Sequence, residues 1–153
     1  MSDPLKKARS IAYRLLARRA RTVKQMRTIF ANKKIPADIS EQVITELSEA
    51  GYLNDIQYIQ NYIEYQLVNN FRGPLWLRAS LLRAGIDSDL INNLLPVYFP
   101  PGREEELATA YLKKIKEKNV LTPQKAVRRL ISRGFNAQIA WKAVGNVYKQ
   151  LEI

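Results

Sequence analysis

Residues 73–86 read GPLWLRASLLRAGI and mark both ends of one short helix. Gly73 is an acceptable N-cap residue, and the proline after it takes the first helical position, where a missing N–H group costs nothing. Leu77 and Leu81 lie one turn apart on one face. Gly85 tolerates the left-handed backbone that closes a helix, and the isoleucine after it can pack back onto the last turn. The stretch therefore predicts a capped helix with a glycine stop.

The same pattern occurs once before this stretch and once after it. Thr22 and Thr122 stand where Gly73 stands, 51 residues earlier and 49 residues later. Gly134 repeats the glycine stop, whereas Lys34 takes the place of glycine in the first copy, so that helix must close differently. Periods of this size are typical of stacked units rather than of one enclosed globule. We therefore expect three similar helical modules.

Two further helices accompany the capped helix in every copy. The helix before it begins near Leu5, at the N-cap candidate Asn54, and after Gly102. The helix after it carries an apolar stripe at spacings of three and four. The stripes are Ile39, Val43, Ile44, Leu47; Leu90, Ile91, Leu94, Leu95; and Ile139, Ala140, Ala143, Val144, Val147. No stretch alternates with period two, so we predict an all-α fold of three tandem three-helix repeats. The expected repeats are residues 1–50, 51–99 and 103–153.

The chain has no histidine and no cysteine, which excludes most catalytic and metal chemistry. Ser-His and Cys-His pairs and Cys/His zinc sites are impossible, and the scattered glycines form no phosphate loop. Asp55, Asp87, Asp89 and the acidic triplet 104–106 are carboxylates at predicted helix starts. Capping and the helix dipole explain them better than Mg²⁺ binding does. We therefore predict a protein without enzymatic activity, cofactor or metal.

Composition also bears on the compartment. The apolar content of 46% fits a folded chain. No stretch approaches the roughly 20 apolar residues of a membrane span, and the N-terminus lacks the apolar run of a signal peptide. A chain without cysteine fits the cytoplasm most simply. We expect a cytoplasmic protein that does not bind membranes, although a basic amphipathic N-terminal helix could instead lie on a membrane surface.

Charge is spread unevenly over the net +11. Residues 1–34 carry +10, residues 35–102 carry −5, and residues 103–153 carry +6. Two basic modules that flank an acidic one suit a body that touches a polyanion at both ends, although a charge run can also be a solvated helix surface. The candidate contacts for DNA phosphates or an acidic protein surface are Arg18, Arg19, Arg21, Lys24, Arg27, Lys33 and Lys34, and Lys113, Lys114, Lys116, Lys118, Arg128, Arg129 and Arg133.

The aromatic residues give little sign of base stacking. Most of the tyrosines, and Trp141, fall on predicted apolar stripes, so core packing accounts for them. Trp76 lies next to Leu77 near a helix start and off the core stripe. We predict that Trp76 is an exposed anchor for a partner protein.

Several segments resemble the RecX regulatory proteins of bacteria. The most specific segment is Gly51-Tyr52-Leu53-Asn54-Asp55-x-x-Tyr58-x-x-x-Tyr62, followed by Arg72-Gly73-Pro74-x-x-x-Arg78-x-x-Leu81-x-x-x-Gly85-Ile86 and then Leu90-Ile91. Upstream, Leu15-Leu16-x-Arg18-Arg19-x-Arg21-Thr22 is similar to the first-module segment of the family. Gln25-Met26 replaces its usual Glu-Leu, and Lys34 replaces its usual glycine. The best match in the third module is Arg133-Gly134-Phe135.

The resemblance implies an elongated, curved body of three-helix repeats. It also implies a negative regulator of the RecA recombinase that binds the RecA–DNA filament and limits its growth and its recombinase, ATPase and coprotease activities. The expected partners are the RecA filament and single- or double-stranded DNA bound without regard to sequence, and we expect a monomer. Two alternatives stay open: a helical DNA-binding protein that acts independently of RecA, and an adaptor whose partner is only an acidic protein.

Overall fold

The computed structural model describes residues 3–116 and 121–149, and their regular structure is entirely α-helical. This confirms the predicted all-α fold. The helices are α1 (Pro4–Arg18), α2 (Val23–Asn32), α3 (Ala37–Glu49), α4 (Asp55–Asn69), α5 (Pro74–Arg83), α6 (Ser88–Tyr98), α7 (Arg103–Lys116), α8 (Pro123–Ser132) and α9 (Ala137–Lys149).

The helices form three triplets, and each triplet has its own apolar core. The most extensive helix–helix contacts all lie within a triplet, with α3 packed on α1 and α2, α6 on α4 and α5, and α9 on α7 and α8. Phe30, Leu81 and Phe135 are fully buried, one in each core. Leu53 packs in the first core although it precedes α4. The proposed repeat boundaries stay a prediction.

Local sequence signals explain where the helices begin. The Thr22 side chain accepts a hydrogen bond from the backbone N–H of Gln25, and the Gln25 side chain accepts one from Thr22 N, which completes the capping box. Asn54 and Thr122 also accept a backbone N–H three residues later, and so cap α4 and α8. Each cap satisfies an N–H group that the helix itself leaves without a partner.

The helix stops differ in a way that the sequence only hinted at. Gly85 and Gly134 adopt φ of +90° and +99°, and Lys34 adopts φ of +60° at the equivalent position. A Cβ atom on Gly85 would come within 3.0 Å of the Lys24 side chain, and one on Gly134 within 3.0 Å of Trp76. Lys34 is exposed, so its side chain meets no such crowding. The two glycines are therefore needed for close packing between triplets as well as for the turn.

Two junctions of related geometry join the triplets. At the first junction, the end of α5 packs on the start of α2, and Thr22 Oγ1 donates a hydrogen bond of 2.7 Å to the carbonyl oxygen of Ala84. At the second junction, the end of α8 packs on the start of α5, and Gly73 N donates to Arg133 O at 2.9 Å. Because Gly73 and Arg133 are the repeat equivalents of Thr22 and Ala84, α8, α5 and α2 follow one another end to end.

No helix in the described ranges combines the length and the apolar character that crossing a membrane requires.

Candidate polyanion interface

The first junction forms a basic cleft. Arg19 and Arg21 lie in the segment between α1 and α2, Lys24 lies in the first turn of α2, and Arg83 ends α5. The four side chains line one open cleft of about 300 Å³. We call these four residues the junction cleft. The sequence predicted three of them but not Arg83, which is 62 positions away from Arg21 and is brought in only by the docking of α5.

Arg21 is the least solvated cation of the junction cleft. Its Nε atom is buried and has no hydrogen-bond partner. Burial lowers the pKa of the Arg21 guanidinium, and the charges of Arg19 and Arg18 lower it further. An anion in the cleft would offset both the desolvation and the mutual repulsion, so the cleft is suited to a phosphate or carboxylate.

Arg27 differs from the expectation of a free cation. Its Nε and Nη2 atoms donate to the two carboxylate oxygens of Glu41 at 2.6 and 3.2 Å. This hydrogen bonding raises the pKa of Arg27 and lowers that of Glu41. Arg27 thus already has a bidentate carboxylate partner, which a phosphate would have to displace, and its contact with DNA or the filament stays a prediction.

The remaining cations of the first triplet do not join the junction cleft. Lys33 lies with Lys6, Lys7 and Arg14 around a separate open depression of about 590 Å³. Arg18 and Lys34 are exposed at helix ends. The first triplet therefore presents more than one basic surface.

The structure also divides the predicted cations of the third triplet. Arg128 and Arg129 lie with Lys125 around an open depression on α8, and we call these three residues the α8 cluster. Lys113 lines a different open depression, together with Glu105 and Glu106. The predicted contact Lys118 lies outside the described residues.

Lys114, Lys116 and Arg133 face aromatic rings instead. Lys114 lies 5.0 Å from the ring centre of Phe71, and Lys116 lies 5.9 Å from that of Tyr148. The Arg133 guanidinium is 4.4 Å from the Tyr111 ring centre and donates to the Asn70 carbonyl oxygen. These distances are in the range of cation–π contacts.

Arg133 is a part of the second junction rather than a free surface cation. Its Nε atom is buried without a hydrogen-bond partner. Burial lowers the pKa of Arg133, and nearby Arg72 adds to that effect while Tyr111 opposes it. Arg133 thus holds α8 against the α4–α5 connection, and its planar guanidinium suits stacking between repeats. Its contact with DNA or the filament stays a prediction.

Trp76 is partly buried, in contrast to the exposed anchor that we predicted. The guanidinium of Arg72 lies 4.2 Å from its ring centre, and the Tyr62 ring stacks with it at 6.5 Å between centroids. Its backbone packs on Gly134. The ring therefore contributes mainly to the second triplet and the second junction.

The prediction that most aromatic residues pack in the core was wrong for several of them. Trp141 is 56% exposed, and Tyr13, Tyr52 and Tyr65 are exposed to a similar degree. Trp141 lies on α9 at the repeat position of Glu41 and Asn92, which face solvent on α3 and α6. Comparison of the three copies could have found this exposure.

The carboxylates singled out in the sequence serve as structural partners. Asp55 Oδ1 accepts a hydrogen bond of 3.0 Å from Val23 N, so it caps α2 across the first junction rather than its own helix. Glu104 accepts from Asn136 N, and Glu105 from Asn146 Nδ2. Asp87 caps α6. Among the described residues, no group of three or more potential ligands is placed to hold a metal ion.

Sequence comparison identifies relatives along almost the whole chain. A family model described as RecX, first three-helix domain, matches residues 8–47. The regulatory protein RecX of Leuconostoc citreum is 30% identical over 152 residues, which are 95% of this chain and 56% of the relative. The regulatory protein RecX of Bacillus pumilus is 31% identical over 151 residues, 95% of this chain and 57% of the relative. The chain thus spans little more than half the length of these curated relatives.

Solved structures show the same fold. The crystal structure of RecX from Lactobacillus salivarius superposes with a TM-score of 0.81 at 20% identity and covers 95% of this chain and 97% of its own. A second crystal structure, of a regulatory protein RecX, gives a TM-score of 0.73 at 22% identity over 90% of this chain and 70% of its own. With the sequence matches, these findings confirm the resemblance to the RecX regulatory proteins, whose sequences match 95% of this chain and whose solved structures share its fold.

Proposed function

We propose that this chain is a negative regulator of the RecA recombinase. In this proposal it binds the RecA–DNA filament in the cytoplasm, limits filament growth, and lowers the recombinase, ATPase and coprotease activities of RecA. It acts by binding, as a monomer and without catalysis of its own. Relationship to proteins named regulatory protein RecX supports a regulatory role.

The observation that carries the proposal is the placement of two separate basic clusters along one row of helices, one on each side of α5. The junction cleft lies where α2 meets α5, and the α8 cluster lies beyond the other end of α5. Lysine and arginine that neutralise phosphates bind DNA without regard to sequence. A filament offers phosphates and a protein surface together, and a row of helices with two separate basic clusters suits such a mixed target.

The test is a titration of this protein into RecA assembled on single-stranded DNA. We expect DNA-dependent ATP hydrolysis by RecA to fall at substoichiometric amounts of the protein, because each bound molecule would prevent the addition of many RecA subunits to the filament. The matched control is the Arg19→Ala/Arg83→Ala variant, which removes two cations of the junction cleft that form no described hydrogen bond. Undiminished hydrolysis at excess wild-type protein contradicts the proposal.

The same titration separates the alternatives. Salt-dependent DNA binding without any effect on RecA would favour a DNA-binding protein that acts independently of the filament. No retention on DNA at low salt would favour an adaptor for an acidic protein surface.

A further inference from the structure

The outer face of α5 is apolar, although it faces solvent. Leu75 and Leu82 are 57% and 42% exposed, and Ala79 between them is exposed too. Their spacings of four and three place them on one face. Leu77 and Leu81 on the other face are fully buried. Because α5 buries one apolar face and exposes another, the exposed set, which we call the α5 stripe, is not explained by the core.

The equivalent positions of the other two repeats are different. Lys24, Thr28 and Ala31 occupy them on α2, and Gln124, Arg128 and Ile131 occupy them on α8. The apolar stripe is thus a property of the middle repeat alone and is not demanded by the repeat fold.

Cations border the α5 stripe. Arg78 lies on the same helix and donates to the amide oxygen of Asn92, so its partner does not neutralise its charge. Arg83 lies in the junction cleft beside Arg19 and Arg21. Helix α5 itself carries no carboxylate. An occupant of the stripe must therefore cover leucine side chains and present negative charge at their edge.

We propose that the α5 stripe, Leu75, Ala79 and Leu82, binds an amphipathic helix of a partner protein whose apolar face is bordered by carboxylates. The proposal rests on the proposed function, in which that partner is the protein of the filament. Helix α5 spans ten residues, or roughly 15 Å, which is room for about three turns of a partner helix. Apolar anchors then supply the affinity, and Arg78 and Arg83 supply selectivity for the acidic border.

A second copy of this chain fits the α5 stripe less well. A two-fold contact through α5 would set the same patch against itself, so arginines at the edge of one copy would face those of the other. Like charges in contact across an interface are unfavourable.

The decisive variant replaces both leucines of the stripe, Leu75→Gln/Leu82→Gln, which keeps helix propensity and leaves the core intact. The matched control is Val68→Gln/Val97→Gln, at two exposed valines of α4 and α6. Circular-dichroism melting checks that both variants fold. We expect the leucine variant to bind RecA filaments on the order of tenfold or more weakly, and naked DNA as the wild type does. Wild-type filament affinity in the leucine variant overturns the inference.

A second arm keeps this inference separate from the proposed function. The probe is a labelled helical peptide of about four turns, with leucines at i, i+4 and i+7 bordered by glutamates, and its control has lysines in place of the glutamates. If the wild-type protein does not bind the RecA filament, the proposed function is wrong. In that case the inference about the α5 stripe is still supported if the wild-type protein raises the anisotropy of the glutamate peptide more than that of the lysine peptide. The Leu75→Gln/Leu82→Gln variant should lose this preference. Equal binding of the two peptides, or self-association in sedimentation that only the leucine variant abolishes, contradicts it.

Discussion

Three glycines, Gly51, Gly73 and Gly134, allow the cost of backbone strain and the cost of a steric clash to be measured separately. Gly51 has φ of +84°, and no atom lies within 4 Å of the position that a Cβ atom would take, so Gly51→Ala tests backbone strain alone. Gly73 has an ordinary negative φ, but its Cβ would lie 2.5 Å from the backbone C and O atoms of Gly134. Gly134 combines a φ of +99° with backbone and side-chain atoms of Trp76 under 3.0 Å away.

The expected magnitudes follow from these geometries. A left-handed alanine costs about 1–2 kcal/mol, of which about 0.4–1 kcal/mol is offset because alanine restricts the unfolded chain, so Gly51→Ala should cost about 1 kcal/mol. Overpacking against backbone costs about 1–3 kcal/mol, and alanine is also a poorer N-cap than Gly73. Gly134→Ala should lose about the sum, roughly 2–4 kcal/mol, which lowers Tm by about 4–15 °C for a chain of this size.

Urea unfolding followed by circular dichroism measures the three free energies of unfolding. We expect Gly51→Ala to lower the free energy of unfolding least, Gly73→Ala more, and Gly134→Ala most. If Gly134→Ala costs no more than Gly51→Ala within about 0.5 kcal/mol, the second junction is not closely packed and the reasoning fails.

Three further outcomes are expected. Glu41→Gln should free Arg27, so the dependence of DNA affinity on salt should steepen by up to about 0.9 in a log–log plot, and an unchanged slope would place Arg27 away from DNA. Lys34→Gly should raise the free energy of unfolding by up to about 1 kcal/mol, because glycine adopts a φ of +60° without strain; a loss in urea melts would contradict this. The hydrogen bond from Arg9 holds the pKa of Glu46 below its usual 4.5. The Arg9–Glu46 pair should therefore stabilise the fold above pH 4.5, and this stabilisation should be lost as the pH falls through the lowered pKa. The free energy of unfolding of Glu46→Gln, measured as the pH is lowered, should lack this pH-dependent loss. Identical acid-unfolding curves for the wild type and Glu46→Gln would show that the pair contributes nothing to stability.

The parts of the fold that the sequence predicts are those with local causes. Thr22, Asn54 and Thr122 cap their helices because a side-chain oxygen needs only a nearby backbone N–H group, two or three residues away. The glycine stops at Gly85 and Gly134 have the left-handed backbone that the pattern requires. Periodicity likewise identifies the core faces, since each helix needs only one apolar stripe.

The parts that sequence reasoning missed depend on contacts between repeats. Asp55 has the position of a first-turn carboxylate, yet it accepts its hydrogen bond from Val23, 32 residues earlier. Arg133 belongs to a basic run in the sequence, but docking of α8 places it over Tyr111. Charge counts per segment cannot reveal such pairings, because they record how many cations a repeat has and not which of them already have partners.

The junctions give a reason why the outer repeats can be basic while the middle repeat is not. Each junction relies for its closest contacts on a glycine at a helix stop and on the backbone carbonyl before it, so the outward positions of α2, α5 and α8 are free to vary. Lys24 shows the overlap, since its aliphatic stem packs on Gly85 while its charge lies in the junction cleft. At the equivalent position of α5, Leu75 donates its backbone N–H to Gly134 and leaves an apolar side chain exposed. Two junctions of related geometry thus carry a cation in one case and an apolar side chain in the other, so the charge and polarity of the side chain at this position can change without altering the fold.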